Sequence, residues 1–155
     1  VGLRACEIAS LKVGDVVDGE GNIKDTVLLT KDMTKGSKAN SVYLSEFVKK
    51  EIQKYLESNA EPLVTLKSPL IYSQRTGGHF SSQTLQILFK TLYSNVGINA
   101  SSHSGRRKFI TDLSEKGVSV RVIQELARHR DLATTQRYIE VSVDKLRNAV
   151  NMVGL

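Results

Sequence analysis

The chain of 155 residues predicts an α+β fold, mainly α, with a small antiparallel β-sheet near the N-terminal third. Three observations predict it. Apolar residues return at helical spacing through most of the chain. Two short runs rich in β-branched residues, IKDTVLLT and SVYL, flank the polar stretch KDMTKGSKAN. Gly, Ser and Asp stand where helices need caps and strands need turns.

The elements follow in order. After Val1-Gly2-Leu3-Arg4 the chain enters a helix, with Leu3, Ile8 and Leu11 as expected core contacts. Glu7 lies three residues after Arg4, a spacing that supports an intrahelical ion pair. Residues 13–44 read as the small sheet. VGDVVDGEGN supplies turns, IKDTVLLT a strand, KDMTKGSKAN a hairpin and SVYL the returning strand. Lys31, Lys35 and Lys38 sit in or beside the hairpin, as they would on a solvated sheet edge. Ser45 to Asn59 is an amphipathic helix with Phe47, Val48, Ile52, Tyr55 and Leu56 inward and Lys49, Lys50 and Lys54 outward. Pro62 to Pro69 is a connector. LIYSQRTGGHFS is a short extended run with a Gly77-Gly78 turn, and it carries Arg75 and His79 on a surface loop. Ser81 or Ser82 caps a helix that buries Leu85, Leu88, Phe89 and Leu92 and closes at Gly97.

The last third holds most of the chemistry. His103, Arg106, Ile110 and Leu113 fall on one helical stripe, widened by Phe109, with Ser101 or Ser102 as cap and Gly117 as stop. An Arg and a His at a helix start suit an anion, because free backbone N–H groups and the helix dipole favour negative charge there. The pair alone fits a surface arginine and a structural histidine equally well. A second helix starts at Ser119, turns Val120, Ile123, Leu126 and Ala127 inward, and ends in Arg128, His129 and Arg130. Asp131 opens DLATTQRYI, which reaches Tyr138. The tail 142–155 reads as a further helix with Val143, Leu146, Val150 and Val153 on one side.

Composition narrows the class. The length suits one domain with an ordinary core. The net charge is +6 and the sequence pI about 9.5, which fits a polyanionic partner such as nucleic acid. The excess overlaps the last third, where residues 103–138 hold eight Lys/Arg against four Asp/Glu. A single cysteine, Cys6, excludes an internal disulfide, and the three histidines lack zinc-cluster spacing, so neither metal nor cofactor is expected. No apolar run spans a membrane, nothing reads as a signal peptide, and a reducing cytosol is the expected setting.

Taken together, the pieces resemble a known family. His103-x-x-Arg106, followed by LARHRDLATTQRYI with His129 nine positions before Tyr138, looks like the catalytic domain of the tyrosine recombinases, or phage integrases. VGLRACEIASLKVGDV resembles the family's first arginine box with Arg4, and TKDMTKGSKANSVYLS its β-hairpin with a catalytic lysine at Lys35. The resemblance covers nearly the whole chain. It implies a tyrosine-recombinase-like helical catalytic domain over 1–155, cut at its N-terminal edge and without the family's separate DNA-clamping domain.

It also implies roles. Arg4 and Arg106 would hold the nonbridging oxygens of a DNA phosphate. His103 would act as base, His129 as hydrogen-bond donor to the phosphate, Lys35 as acid and Tyr138 as nucleophile, with Glu7 orienting His103 or Arg4. Lys38 is the fallback for Lys35. Lys31, Lys38, Arg75, Arg107, Arg128 and Arg130 are the expected DNA contacts. Arg107 and Arg128 depart from the family, which often has His and Gly at those places. The implied partners are double-stranded DNA and further copies of the chain, a tetramer on DNA joined through the tail. The implied location is the cytoplasm, on the nucleoid. Two alternatives stay open: a non-catalytic helix–turn–helix-like DNA-binding module, and DNA relaxation like that of a type IB topoisomerase.

Overall fold

A computed structural model describes residues 1–34, 38–59, 65–139, 141 and 143–153. Lys35 and the first part of the Pro62–Pro69 connector lie outside the described residues. The chain divides into two compact units, Val1–Arg106 and Arg107–Leu155. No helix among the described residues is long and apolar enough to cross a membrane.

The first unit begins with helix α1 (Ala5–Ser10). Its buried face is Ala5, Glu7 and Ala9, whereas Leu3 and Ile8 are only half-buried. The two alanines pack with Leu85 of helix α4 (Ser82–Asn95), with Ile8 against them, while Leu11 is buried in the sheet core and Leu3 packs on it. Val13–Val16, expected inside the sheet region, is a single helical turn, α2. The Lys12 backbone N–H is capped by Asp15 at 2.8 Å, an acceptor three residues on, which favours the turn over a strand. Gly14 is required there, because a Cβ would stand 2.9 Å from the Leu66 carbonyl oxygen.

The sheet itself is one antiparallel pair, β1 (Thr26–Leu29) and β2 (Asn40–Tyr43), in the register Thr26 to Tyr43 and Leu29 to Asn40. Alternation buries Val27, Leu29 and Val42 against Leu11, Val16 and Leu70. A 3₁₀ turn, Lys31–Met33, leaves β1. Helix α3 (Glu46–Ser58) is capped by Ser45 and lays Ile52 and Leu56 on this core. Phe47, expected inward, is 72% exposed, and so is Leu92 of α4 at 53%. Each lies at the margin of an apolar stripe, where periodicity cannot tell whether a partner is present. Ser81 caps α4, and Val96 and Gly97 (φ 74°) end it.

Helix α5 (Ser104–Glu115) contains the boundary between the units. In the second unit, Ile110 packs with Ile123 and Ala127 of helix α6 (Val120–Ala127), and Phe109, Leu113, Tyr138 and Ile139 surround them. Ser119 caps α6 as its position predicts. Asp131 caps α7 (Leu132–Gln136) by accepting from the Ala133 N–H at 3.1 Å. Helix α8 is Val143–Met152. Its stripe is exposed, from 57% at Leu146 to 81% at Val153 just beyond the helix.

Candidate active site

In the first unit the site grows from the start of α1. Arg4 is the residue before the helix, in extended conformation. Its backbone N–H donates to Glu7 Oε2 and its guanidinium to Glu7 Oε1, both at 2.7 Å. Glu7 is fully buried, and the Arg4 side chain keeps 28% exposure. One carboxylate thus caps the helix and fixes the arginine, through charge-assisted bonds that are stronger than neutral ones. Of the two orienting roles expected for Glu7, these bonds fit the one toward Arg4.

Arg4 lines an open cleft of 460 Å³ together with His103, Cys6, Thr34, Ser82 and Gln86. His103 is exposed on it. The helical stripe expected to carry His103 begins one residue later: α5 starts at Ser104, and His103 lies in the preceding turn. That turn is tied by the Ser101 N–H donating to Ser104 Oγ at 3.0 Å and the Ser104 N–H to the Ser101 carbonyl at 2.9 Å. Arg106, in the first turn of α5, is buried, and its guanidinium donates to the Gly2 carbonyl. Gly2 has φ 62°, a left-handed conformation suited to glycine, which aims that carbonyl.

Thr34 brings the hairpin to the same cleft. Its hydroxyl contacts the Lys38 carbonyl at 2.9 Å and the Lys38 N–H at 3.2 Å, drawing the two shoulders of the hairpin together. Lys35, between them, lies outside the described residues. Lys31 and Lys38 are exposed, as are Arg75, Arg107 and Arg130. His79 is fixed through Nδ1 to the Ala9 carbonyl at 2.9 Å.

The second unit holds His129 and Tyr138. Arg128 ends α6 in the left-handed region, φ 55° and ψ 43°, where glycine is favoured. Its guanidinium donates to the Leu126 carbonyl at 3.3 Å, and the residue is half-buried, unlike the open DNA contact expected of it. The reversal after Arg128 presents His129. Its Nδ1 lies 2.9 Å from the hydroxyl of buried Thr135. Its ring stacks near Tyr138, with centroids 6.1 Å apart and planes at 26°. Tyr138 is half-buried in the turn after α7.

Within the first unit, then, Arg4, Glu7 and His103 come together and Arg106 is fastened to the start of the chain. Within the second, His129 and Tyr138 come together. Sequence reasoning missed Thr135 and Gln124, which hold His129. Their only signal was a polar residue on an otherwise inward face.

Comparison with known proteins identifies the family and the fold. The model of the phage integrase family matches residues 1–145. Tyrosine recombinase XerA of Pyrococcus horikoshii is 32% identical over 157 residues, covering 99% of this chain and 51% of that protein. Tyrosine recombinase XerD of Rickettsia prowazekii is 32% identical over 156 residues, covering 96% and 50%. The chain therefore spans about half the length of these relatives. Among solved structures, the XerA recombinase crystal structure superposes with TM-score 0.75 at 26% identity, over 99% of this chain and 53% of that one. The Tn1549 transposon integrase, solved with a circular-intermediate DNA, shares the fold with TM-score 0.73 at 19% identity, over 97% and 55%.

Proposed function

The chain belongs to the phage integrase family, and on that premise we propose that it is the catalytic part of a site-specific DNA recombinase that cuts and rejoins strands through a 3′-phosphotyrosyl intermediate. The observation that carries the reading is the first-unit cleft, where an arginine braced by a buried carboxylate shares an open wall with His103.

The chemistry follows from charge. In-line attack on a phosphodiester adds negative charge to the two nonbridging oxygens. Arg4 and Arg106 supply guanidinium forks for them, each held by protein oxygens on one side. A phenol with a pKa of about 10 needs activation at neutral pH. His103 accepts the Tyr138 proton as the Oη–P bond forms. The P–O5′ bond breaks, and the 5′-oxygen takes a proton from the Lys35 ammonium. His129 donates to the phosphate. The phosphotyrosyl link conserves the energy of the broken bond, so a 5′-hydroxyl reseals it by the reverse steps, without metal or cofactor.

Double-stranded DNA is the substrate in this reading, with Lys31, Lys38, Arg75, Arg107 and Arg130 toward its backbone and Arg128 acting mainly on its own helix end. The exposed stripe Val143, Leu146, Val150 and Val153 docks on a neighbouring copy in a tetramer on DNA. Cytoplasmic, nucleoid-associated placement goes with that substrate. Neither the passive binder nor the relaxing topoisomerase gains a specific observation here.

The test is incubation of the protein with nicked duplexes tiled across the flanks of its own gene. A covalent adduct is expected with the wild-type chain and none with Tyr138→Phe, whose noncovalent DNA binding persists. An adduct of undiminished yield in Tyr138→Phe would overturn the assignment of the nucleophile.

A further inference from the structure

Thr135 stands at the centre of the second-unit group. It is fully buried, and its hydroxyl meets His129 Nδ1 at 2.9 Å. Its carbonyl accepts from the Tyr138 N–H at 3.0 Å. One residue thus touches both the ring of His129 and the backbone of Tyr138. Gln124, also buried, completes the grip: its Nε2 donates to the His129 carbonyl, and the His129 N–H donates to its carbonyl, both at 3.1 Å. Arg121 holds the other end of the Gln124 amide at 2.9 Å.

A neutral imidazole has one N–H, and the bond made by one nitrogen decides which carries it. A threonine hydroxyl can donate or accept. If it donates to Nδ1, the proton rests on Nε2, and that edge can donate to an anionic oxygen. If Nδ1–H donates to the hydroxyl, Nε2 turns a lone pair toward the same anion, which is repulsive. Only the first arrangement serves a histidine that must stabilise a phosphate.

We propose that Thr135 is a positioning residue that holds His129 as its Nε2–H tautomer, with Gln124 fixing the backbone beneath it. The catalytic consequence rests on the recombinase reading, but the tautomer does not. The test uses the full chain with ¹⁵N-labelled histidine, above the pH at which the imidazole titrates. The His129 nitrogen shifts are expected to report Nε2–H in the wild type and in Thr135→Ser, and a mixture of tautomers in Thr135→Val. In single-turnover cleavage of the nicked duplex, Thr135→Val is expected to lower the cleavage rate about tenfold, with apparent DNA affinity within about twofold, and Thr135→Ser to restore it. Wild-type shifts showing Nδ1–H overturn the proposal even if Thr135→Val fails to fold. Unchanged shifts in a folded Thr135→Val also overturn it. If the shifts follow the expected pattern while no adduct forms with any duplex, the recombinase reading fails and the assignment of Thr135 stands.

Discussion

Glu7→Gln removes the charge that braces Arg4 while keeping nearly the same volume. Two donors of Arg4 point at the two carboxylate oxygens, each at 2.7 Å. An amide can accept from only one of them and turns its own NH₂ toward the other. A hydrogen bond to a charged group contributes about 1.5–3 kcal/mol. The guanidinium keeps 28% exposure, so water replaces part of that bond. The low end of the range, about 1.5 kcal/mol, is the expected loss of stability. With a urea slope of about 1–3 kcal/mol per molar, the unfolding midpoint should fall by about 1 M. On the proposed recombinase reading, cleavage should fall with it, because Arg4 loses its fixed direction. The assays are urea unfolding followed by circular dichroism and single-turnover cleavage on a nicked duplex. A midpoint within about 0.2 M of wild type together with unchanged cleavage would refute the claim that Glu7 braces Arg4.

Other expectations follow from single positions. Arg128 occupies a left-handed conformation that costs a non-glycine residue about 1 kcal/mol. Arg128→Gly should raise the urea midpoint, less whatever the lost guanidinium bond to Leu126 contributed. Arg128→Ala keeps the strain without that bond and should lie below wild type. Gly14→Ala drives a methyl to 2.9 Å from the Leu66 carbonyl oxygen and should cost about 1–3 kcal/mol by the same urea measurement. Asp18, which accepts from the Asn22 and Glu20 N–H groups, has its pKa lowered below the ordinary 3.8, first by Asn22. A depressed carboxylate pKa stabilises above the ordinary value, and that contribution is lost as pH falls through the folded value. An NMR titration of the Asp18 carboxylate should therefore show a midpoint below 3.8, and a midpoint above it would contradict the turn geometry.

Where a helix has a cap and a deep apolar stripe, the sequence was enough to place it. Ser119 with Ile123 and Ala127, and Ser81 with Leu85, are cases in point. The family was legible for a different reason: His103, Arg106, His129 and Tyr138 are chemically unusual residues, and their order along the chain is distinctive. What stayed hidden depends on partners distant in sequence. Phe47 and Leu92 satisfy a helical period but meet no core there. Val13–Val16 carries β-branched residues yet turns helical, because Asp15 caps it locally and Gly14 abuts Leu66. Glu7 was legible as an i+3 partner of Arg4, but its full burial was not. Thr135 gave only the faint signal of a polar residue on an inward face, and its partner is a ring six residues earlier.

Arg106 reaches its carbonyl acceptor across 104 positions of chain. Closing so long a loop carries an entropic cost that local contacts do not share. His129, by contrast, is gripped by Gln124 and Thr135, both within six residues of it. A nascent polypeptide emerging from the ribosome therefore cannot secure that second guanidinium until the start of α5 has been made and has returned to residue 2.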